Sequence, residues 1–505
     1  MKNYFHDALR KKYGTIEKLN AAWESSYKDF SDIEIPSVER RKGTLEKVFL
    51  HPVKDADVVE FTRAYSSCVV DLISSYAAMI KKSTDRKRIV AAYYGKFFSI
   101  AGILQWAELD IERVLRNPDF DYLIAVDYKQ RPMGKPHEVS APLASYRLHN
   151  KIFVDEADCR TYLTGAKDWG TAKTLFEFAS QGRKMFILSW VRGHGLHWYD
   201  LHGGVFENTG LLRSIENIQK IAEAAPVRAV PKGEIAVFVD EKSFLHTTYT
   251  RRSLGAARQN SAFLRLGTSL DRYLLSDLLH PEFPEYKMYV FMTSWAPTAE
   301  QRQAIEKLKR DGKLLVFLHN TGYIDGKTIG MDNVSRLTGI EMADSGNINL
   351  AMRYTPGECP ELFSKVSNTL FASVGKVEHA AVPVDKKAEV FGAFLFDNKH
   401  KPMAYRDFGT WKSFYSAVSL LPLELWRELA RKAGVHFYVD NDPDCMVYIG
   451  SDLVGIHSGK GGKKVLTFPE AHTFIDAISG EVVAKDTKTP AFEIKPGDTR
   501  IFRIK

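Results

Sequence analysis

Four short apolar runs alternate with stretches of helical spacing between residues 88 and 225, and this alternation most constrains the fold. The runs are RIVAAYYGKF (88–97), FDYLIAVDY (120–128), NKIFVDEADCRT (150–161) and HGLHWYDLHGG (194–204). Helical stretches LQWAELDIERVLRN, TAKTLFEFASQGRKMFILSWVRG and LLRSIENIQKIAEAA lie among and after them. Strands that are apolar on both faces and separated by helices are the mark of parallel βα units. Two amphipathic stretches precede them, YFHDALRKKYGTIEKLNAAWESSY and DADVVEFTRAYSSCVVDLISSYAAMIKKS, and both read as helix.

A second α/β series begins after the linker PVRAVPKGE (226–234), with IAVFVDEKS, MYVFMTS, AEQRQAIEKLKRDG and KLLVFLHNTGYID. It predicts an open, doubly wound sheet, and no GxGxxG turn follows its first strand, which argues against a dinucleotide site. After the helix LPLELWRELARKAG the pattern turns to short alternating runs broken by Gly, Pro and Asp, the signature of a small antiparallel β domain. A length of 505 residues is too great for one core. The expected division is 1–225, 234–434 and 435–505.

The chain is 45% hydrophobic and 26% charged, an ordinary globular balance. Its four cysteines are far apart and form no CxxC pair, so neither a disulfide framework nor structural zinc is implied. The net charge of +8 comes from basic residues mixed with acids, which reads as a solvated surface and not as a nucleic-acid interface. No run of about 18 apolar residues and no secretory-type N-terminus is present. A membrane partner is therefore not expected, and a cytoplasmic location is the default.

Two segments carry candidate chemistry. The run ending in Asp155, Glu156, Asp158 and Arg160 places several charges at the C-terminal end of a strand, where parallel barrels keep their active sites. A solvated acidic loop capping the next helix is the competing reading. The run ending in Trp198, Tyr199 and Asp200 offers an aromatic face on which a sugar ring can stack, with polar groups for its hydroxyls. A core tryptophan is the plainer alternative. His194, His197 and His202 lack a carboxylate at ligand spacing, so no metal is expected.

FHDALRKKYGTIEKLNAAWESSYKDFSDIEIP resembles the stretch that follows the acid/base strand in family 42 β-galactosidases, with agreement at Lys12, Tyr13, Gly14, Thr15, Leu19, Asn20, Ala22 and Trp23. KIFVDEADCRT is similar to that family's seventh barrel strand and HWYDLHGG to its eighth. The resemblance implies that Glu156 is the catalytic nucleophile and that Trp198 floors the sugar subsite. AAYYGKF and YLIAVDYKQR then become strands five and six, and Tyr94, Tyr128 and Arg131 line the pocket or orient the nucleophile. It also implies strands 5 to 8 of a TIM (β/α)8 barrel, then a flavodoxin-like or glutamine-amidotransferase-like trimerisation domain, then a C-terminal β domain.

A retaining glycosidase uses two carboxyl groups about 5 to 5.5 Å apart. In the family the acid/base sits at the end of strand four, just upstream of the KYGT helix. The sequence begins inside that helix, so strands one to four and the acid/base are expected to lie outside it. Glu108, Asp110 and Glu112, in a helical setting, are poor substitutes. Two functions remain open: a retaining exo-β-glycosidase on terminal β-galactosides, present here as a fragment, or a non-catalytic carbohydrate-binding or assembly protein descended from one. No cofactor is implied, and a homotrimer is the expected assembly.

Overall fold

The expected helices form where caps and spacing favour them. Thr15 accepts a hydrogen bond from Lys18 N at the start of Ile16–Trp23, and Thr174 does the same for Glu177 N at the start of Leu175–Arg192. Gly193, at φ +73°, ends the latter in the left-handed conformation that glycine adopts without steric cost. The computed structural model describes residues 1–95, 108–126, 132–137, 139, 141–165, 170–200, 203–225, 230–248, 259, 262–354, 366, 369–440 and 442–505. Its chain divides into two compact units, one of residues 1–121, 236–259 and 272–433, the other of 122–235, 260–271 and 434–505.

In the first unit, helices Lys2–Tyr13 and Ile16–Trp23 pack Phe5, Leu9, Leu19 and Trp23 against Phe61 and Ala64 of the 28-residue helix Ala56–Ser83. Lys81, near the end of that helix, is buried and donates to Asp121 Oδ2 (2.6 Å) and Arg88 O (2.8 Å). The Asp121 oxygen also accepts from Val90 N (2.7 Å), which ties the helix to the approach of strand Ala91–Tyr93. On the opposite side of the long helix Leu72, Tyr76, Met79 and Ile80 are exposed at i, i+4, i+7 and i+8, one continuous face.

The rest of this unit is built on a seven-stranded sheet. Its fully buried strands Ile235–Val239, Met288–Phe291 and Leu314–Leu318 are the apolar runs of the second α/β series. Leu314–Leu318 pairs in parallel with both Met288–Phe291 and Lys412–Ser416. Met403–Asp407 and Glu389–Phe391 extend the edge antiparallel, so the sheet is mixed and not wholly parallel.

In the second unit, strands Tyr122–Val126, Ile152–Asp158 and Gly195–Tyr199 lie in parallel in chain order. Helix Leu175–Arg192 covers one face and also packs Phe186, Ile187 and Val191 on Met446, Tyr448, Leu453 and Ile501 of the C-terminal sheet. That sheet has five antiparallel strands between Cys445 and Ile504, as the alternating runs predict. Gly455 lets the helix approach, since a Cβ there would lie 2.5 Å from Ile187 Cγ1. Among the described residues no helix is long and apolar enough to cross a membrane.

Candidate active site

Strand Ile152–Asp158 is central among the three parallel strands of the second unit, and its register fixes what surrounds Glu156. Glu156 pairs with Val126 on one side and His197 on the other, while Ala157 pairs with Trp198. Side chains alternate across a strand, so Glu156, Asp158, His197 and Tyr199 share one face, and Asp155, Ala157 and Trp198 share the other. Glu156 is only 3% exposed. It stands at the C-terminal end of its strand, where such sheets place reacting groups.

The neighbouring candidates separate accordingly. Asp155 is buried and within 3.1 Å of His137 Nε2 on the helix-covered face, a contact that braces the strand behind Glu156. Asp158 is bridged by Arg160 at 3.3 Å beside Glu156. Trp198 is not brought to Glu156: its ring packs on Phe178 (centroids 5.8 Å) and Phe206 (6.1 Å), and its edge faces Gly182 of the covering helix. On the Glu156 face Tyr199 lies beside His197 at 6.3 Å between centroids. Asp200 Oδ2 accepts from Val205 N (3.1 Å) and closes the Gly203–Gly204 turn, where both glycines have positive φ.

Tyr128 and Arg131 lie outside the described residues. Tyr94 belongs to the first unit, where it is buried and donates its hydroxyl to Leu109 O. Asp110 and Glu112, the acids set aside as substitutes, are tied in ion pairs with Arg113 (3.0 Å) and with Lys242 (2.8 Å) and Arg116 (2.8 Å).

The sequence reading did not single out a second Asp-Glu pair at a strand end. Asp240 and Glu241 follow the buried strand Ile235–Val239, as Asp155 and Glu156 fall within VDEAD. Glu241 accepts from Ile111 N (2.5 Å) and Glu112 N (3.0 Å). Burial pushes its carboxyl up to about 8 against those two bonds, with Asp110 and Glu112 adding repulsion. Burial likewise raises Asp240 to about 6, opposed by its bond from Ser243. Glu241 lines a cleft of about 230 Å³ with Arg63, Ser66, Asp110, Arg113 and Lys242. The repeated VDE motif was the available signal.

With this geometry in hand, similarity to known proteins places the chain. Residues 1–143 match the glycoside hydrolase 42 family, described as beta-galactosidase. No curated protein matches. Among solved structures, the β-galactosidase of Bacillus circulans sp. alkalophilus superposes with a TM-score of 0.71 at 13% identity, covering 99% of this chain and 76% of that one. The β-galactosidase of Halorubrum lacusprofundi gives 0.65 at 15% identity, with 99% and 75% covered. An apo exo-carrageenase of family 42 from Bacteroides ovatus gives 0.57 at 11%, with 99% and 62% covered. The chain is a distant, fold-level relative of the family 42 β-galactosidases. The family match takes in only the front of the chain, whereas the structural likeness runs through all three expected regions.

Proposed function

We propose that this chain is the nucleophile-bearing part of a retaining exo-β-glycosidase that hydrolyses terminal β-galactosides. The observation that carries the reading is Glu156, a buried carboxylate at the end of the central strand of a parallel sheet, in a chain whose front matches a β-galactosidase family. In this mechanism Glu156 attacks the anomeric carbon and forms a glycosyl ester, while a second carboxylic acid gives its proton to the departing glycosidic oxygen. The same group then takes a proton from water as that water cleaves the ester. Tyr199, on the Glu156 face, and Arg160, paired with Asp158, are the proposed sugar contacts; Tyr128 and Arg131 enter on the resemblance alone. The reaction needs only carboxyl groups and water. The region 234–434 is proposed as the trimerisation surface.

The test is covalent labelling with a 2-fluoro galactoside, followed by peptide mass analysis. The label is expected on Glu156, and a label on another carboxylate overturns the assignment.

A second reading, a carbohydrate-binding or assembly protein without turnover, is favoured by one observation. On the Glu156 face of the three strands the other carboxylate is Asp158, paired with Arg160. Being two residues along the same strand, it cannot flank the scissile bond from the opposite side. Sugar binding that survives Glu156→Gln, with no hydrolysis of aryl galactosides by any assembled form, would select this reading.

A further inference from the structure

The cleft that Glu241 lines in the first unit takes no part in the proposed chemistry. Its walls come from three segments, 63–67 on the long helix, 109–113 and 241–245, and it holds about 230 Å³. That is room for roughly seven or eight water molecules at about 30 Å³ each. Ser66, on its wall, is 2% exposed, and its hydroxyl has no hydrogen-bond partner among the described residues. A buried hydroxyl left in that state carries a cost that a bound acceptor removes. Arg63 precedes it by three positions and shares the same helix face. Leu109 and Leu245, both buried, give the cleft an apolar side.

Charge decides what such a cleft accepts. Arg63, Arg113 and Lys242 line it together with two carboxyl groups, Asp110 and Glu241. Glu241 keeps its proton at neutral pH, because burial pushes its pKa up to about 8. Behind the wall Glu60, Asp71 and Glu112 pair with the three cations at 3.4, 2.9 and 2.8 Å, but Glu60 is shared with Lys12 and Glu112 with Arg116. Five cations against four ionised carboxyl groups leave one positive charge in this network. Arg63 is its least committed member, since the 3.4 Å contact to Glu60 is its one ion pair among the described residues. We propose that the cleft binds a small monocarboxylate of about three to five carbons, its carboxylate held by Arg63 and Ser66 and its alkyl part against Leu109 and Leu245. A guanidinium fork matches a carboxylate in geometry as well as in charge. Inorganic phosphate, with a second negative charge, would exceed the charge left over and be repelled by Asp110. The proposal does not rest on the glycosidase reading.

The test is calorimetric titration of the 505-residue chain with butyrate at neutral pH, with butyramide, its neutral isostere, and inorganic phosphate as comparison probes. Butyrate is expected to bind saturably, one per chain, with a dissociation constant of about 1 mM or tighter. Butyramide is expected to give no saturable heat. Arg63→Gln should weaken butyrate binding at least about tenfold, the scale of a lost charge-assisted hydrogen bond, and Ser66→Ala about threefold or more. Arg310→Gln, at an exposed arginine outside the cleft, should leave it unchanged. Melting temperatures report whether the variants are folded, and Ser66→Ala, which removes a single atom, carries the test if Arg63→Gln is not. Absence of saturation by butyrate, butyramide binding as tightly as butyrate, phosphate binding more tightly than butyrate, or parental affinity in either folded variant overturns the proposal.

Discussion

Glu156 and Glu241 are both buried carboxyl groups set by apolar strands, and their surroundings give them different work. Glu156 is the proposed nucleophile, and replacing it with glutamine should lower hydrolysis by a fully assembled form by roughly 10³-fold or more, the scale seen when a covalent nucleophile is removed. Steady-state kinetics on an aryl galactoside would measure it, and activity within tenfold of the parent would rule Glu156 out. Glu241 instead stores an electrostatic cost. Its folded pKa of about 8 lies above the ordinary 4.5, so between these values the folded state keeps a proton that the unfolded state has released. Stability therefore falls as pH rises from about 4.5 to about 8 and is level beyond. Glu241→Gln keeps one acceptor oxygen, for Ile111 N or Glu112 N, turns its amide NH2 toward the other, and has no proton to lose. Its melting temperature, relative to the parent, should be higher at pH 8 than at pH 5; an equal difference at both would remove Glu241 from the account.

Elements are joined by a few contacts that local propensity does not reveal. The Lys81 ammonium, held between Asp121 and Arg88 O, links the long helix to the strand after it. Asp121→Ala leaves that buried cation with one carbonyl. Loss of a partner costs about 3 to 5 kcal/mol in a fully buried pair; because Asp121 is partly exposed, about 2 kcal/mol is expected by urea unfolding. Gly267 shows a backbone constraint of another kind. Its φ is +86°, its carbonyl accepts from Tyr438 N (2.8 Å), and a Cβ would fall 1.9 Å from Val439 O. Gly267→Ala should cost at least about 2 kcal/mol by the same measurement, through strain and displacement of the 438–439 segment. At this scale the longer helices were legible from apolar spacing. The short antiparallel strands Met342–Asp344, Ala393–Phe394 and Met403–Asp407 were not, because pieces of two to five residues carry too little alternation to read.

For the whole molecule, the trimer expected of the 234–434 region predicts a sedimenting mass three times 57.2 kDa for the chain alone. A monomer at micromolar concentration would count against that assignment and leave Glu156 untouched. The sequence by itself determined the kinds of element, the change from βα units to antiparallel strands, and the charged end of the 152–158 strand, since each is a matter of local period and composition. Only the tertiary structure decided which faces meet. Alternation within HWY says that His197 and Trp198 point opposite ways, but not which of them joins Glu156. That depends on the register pairing Glu156 with His197, and a slip of one residue would reverse it. The burial of Glu241 was beyond local reading for the same reason. The two N–H groups that hold it come from residues about 130 positions earlier in the chain, and long-range pairing of that sort is fixed by packing, which no local pattern records.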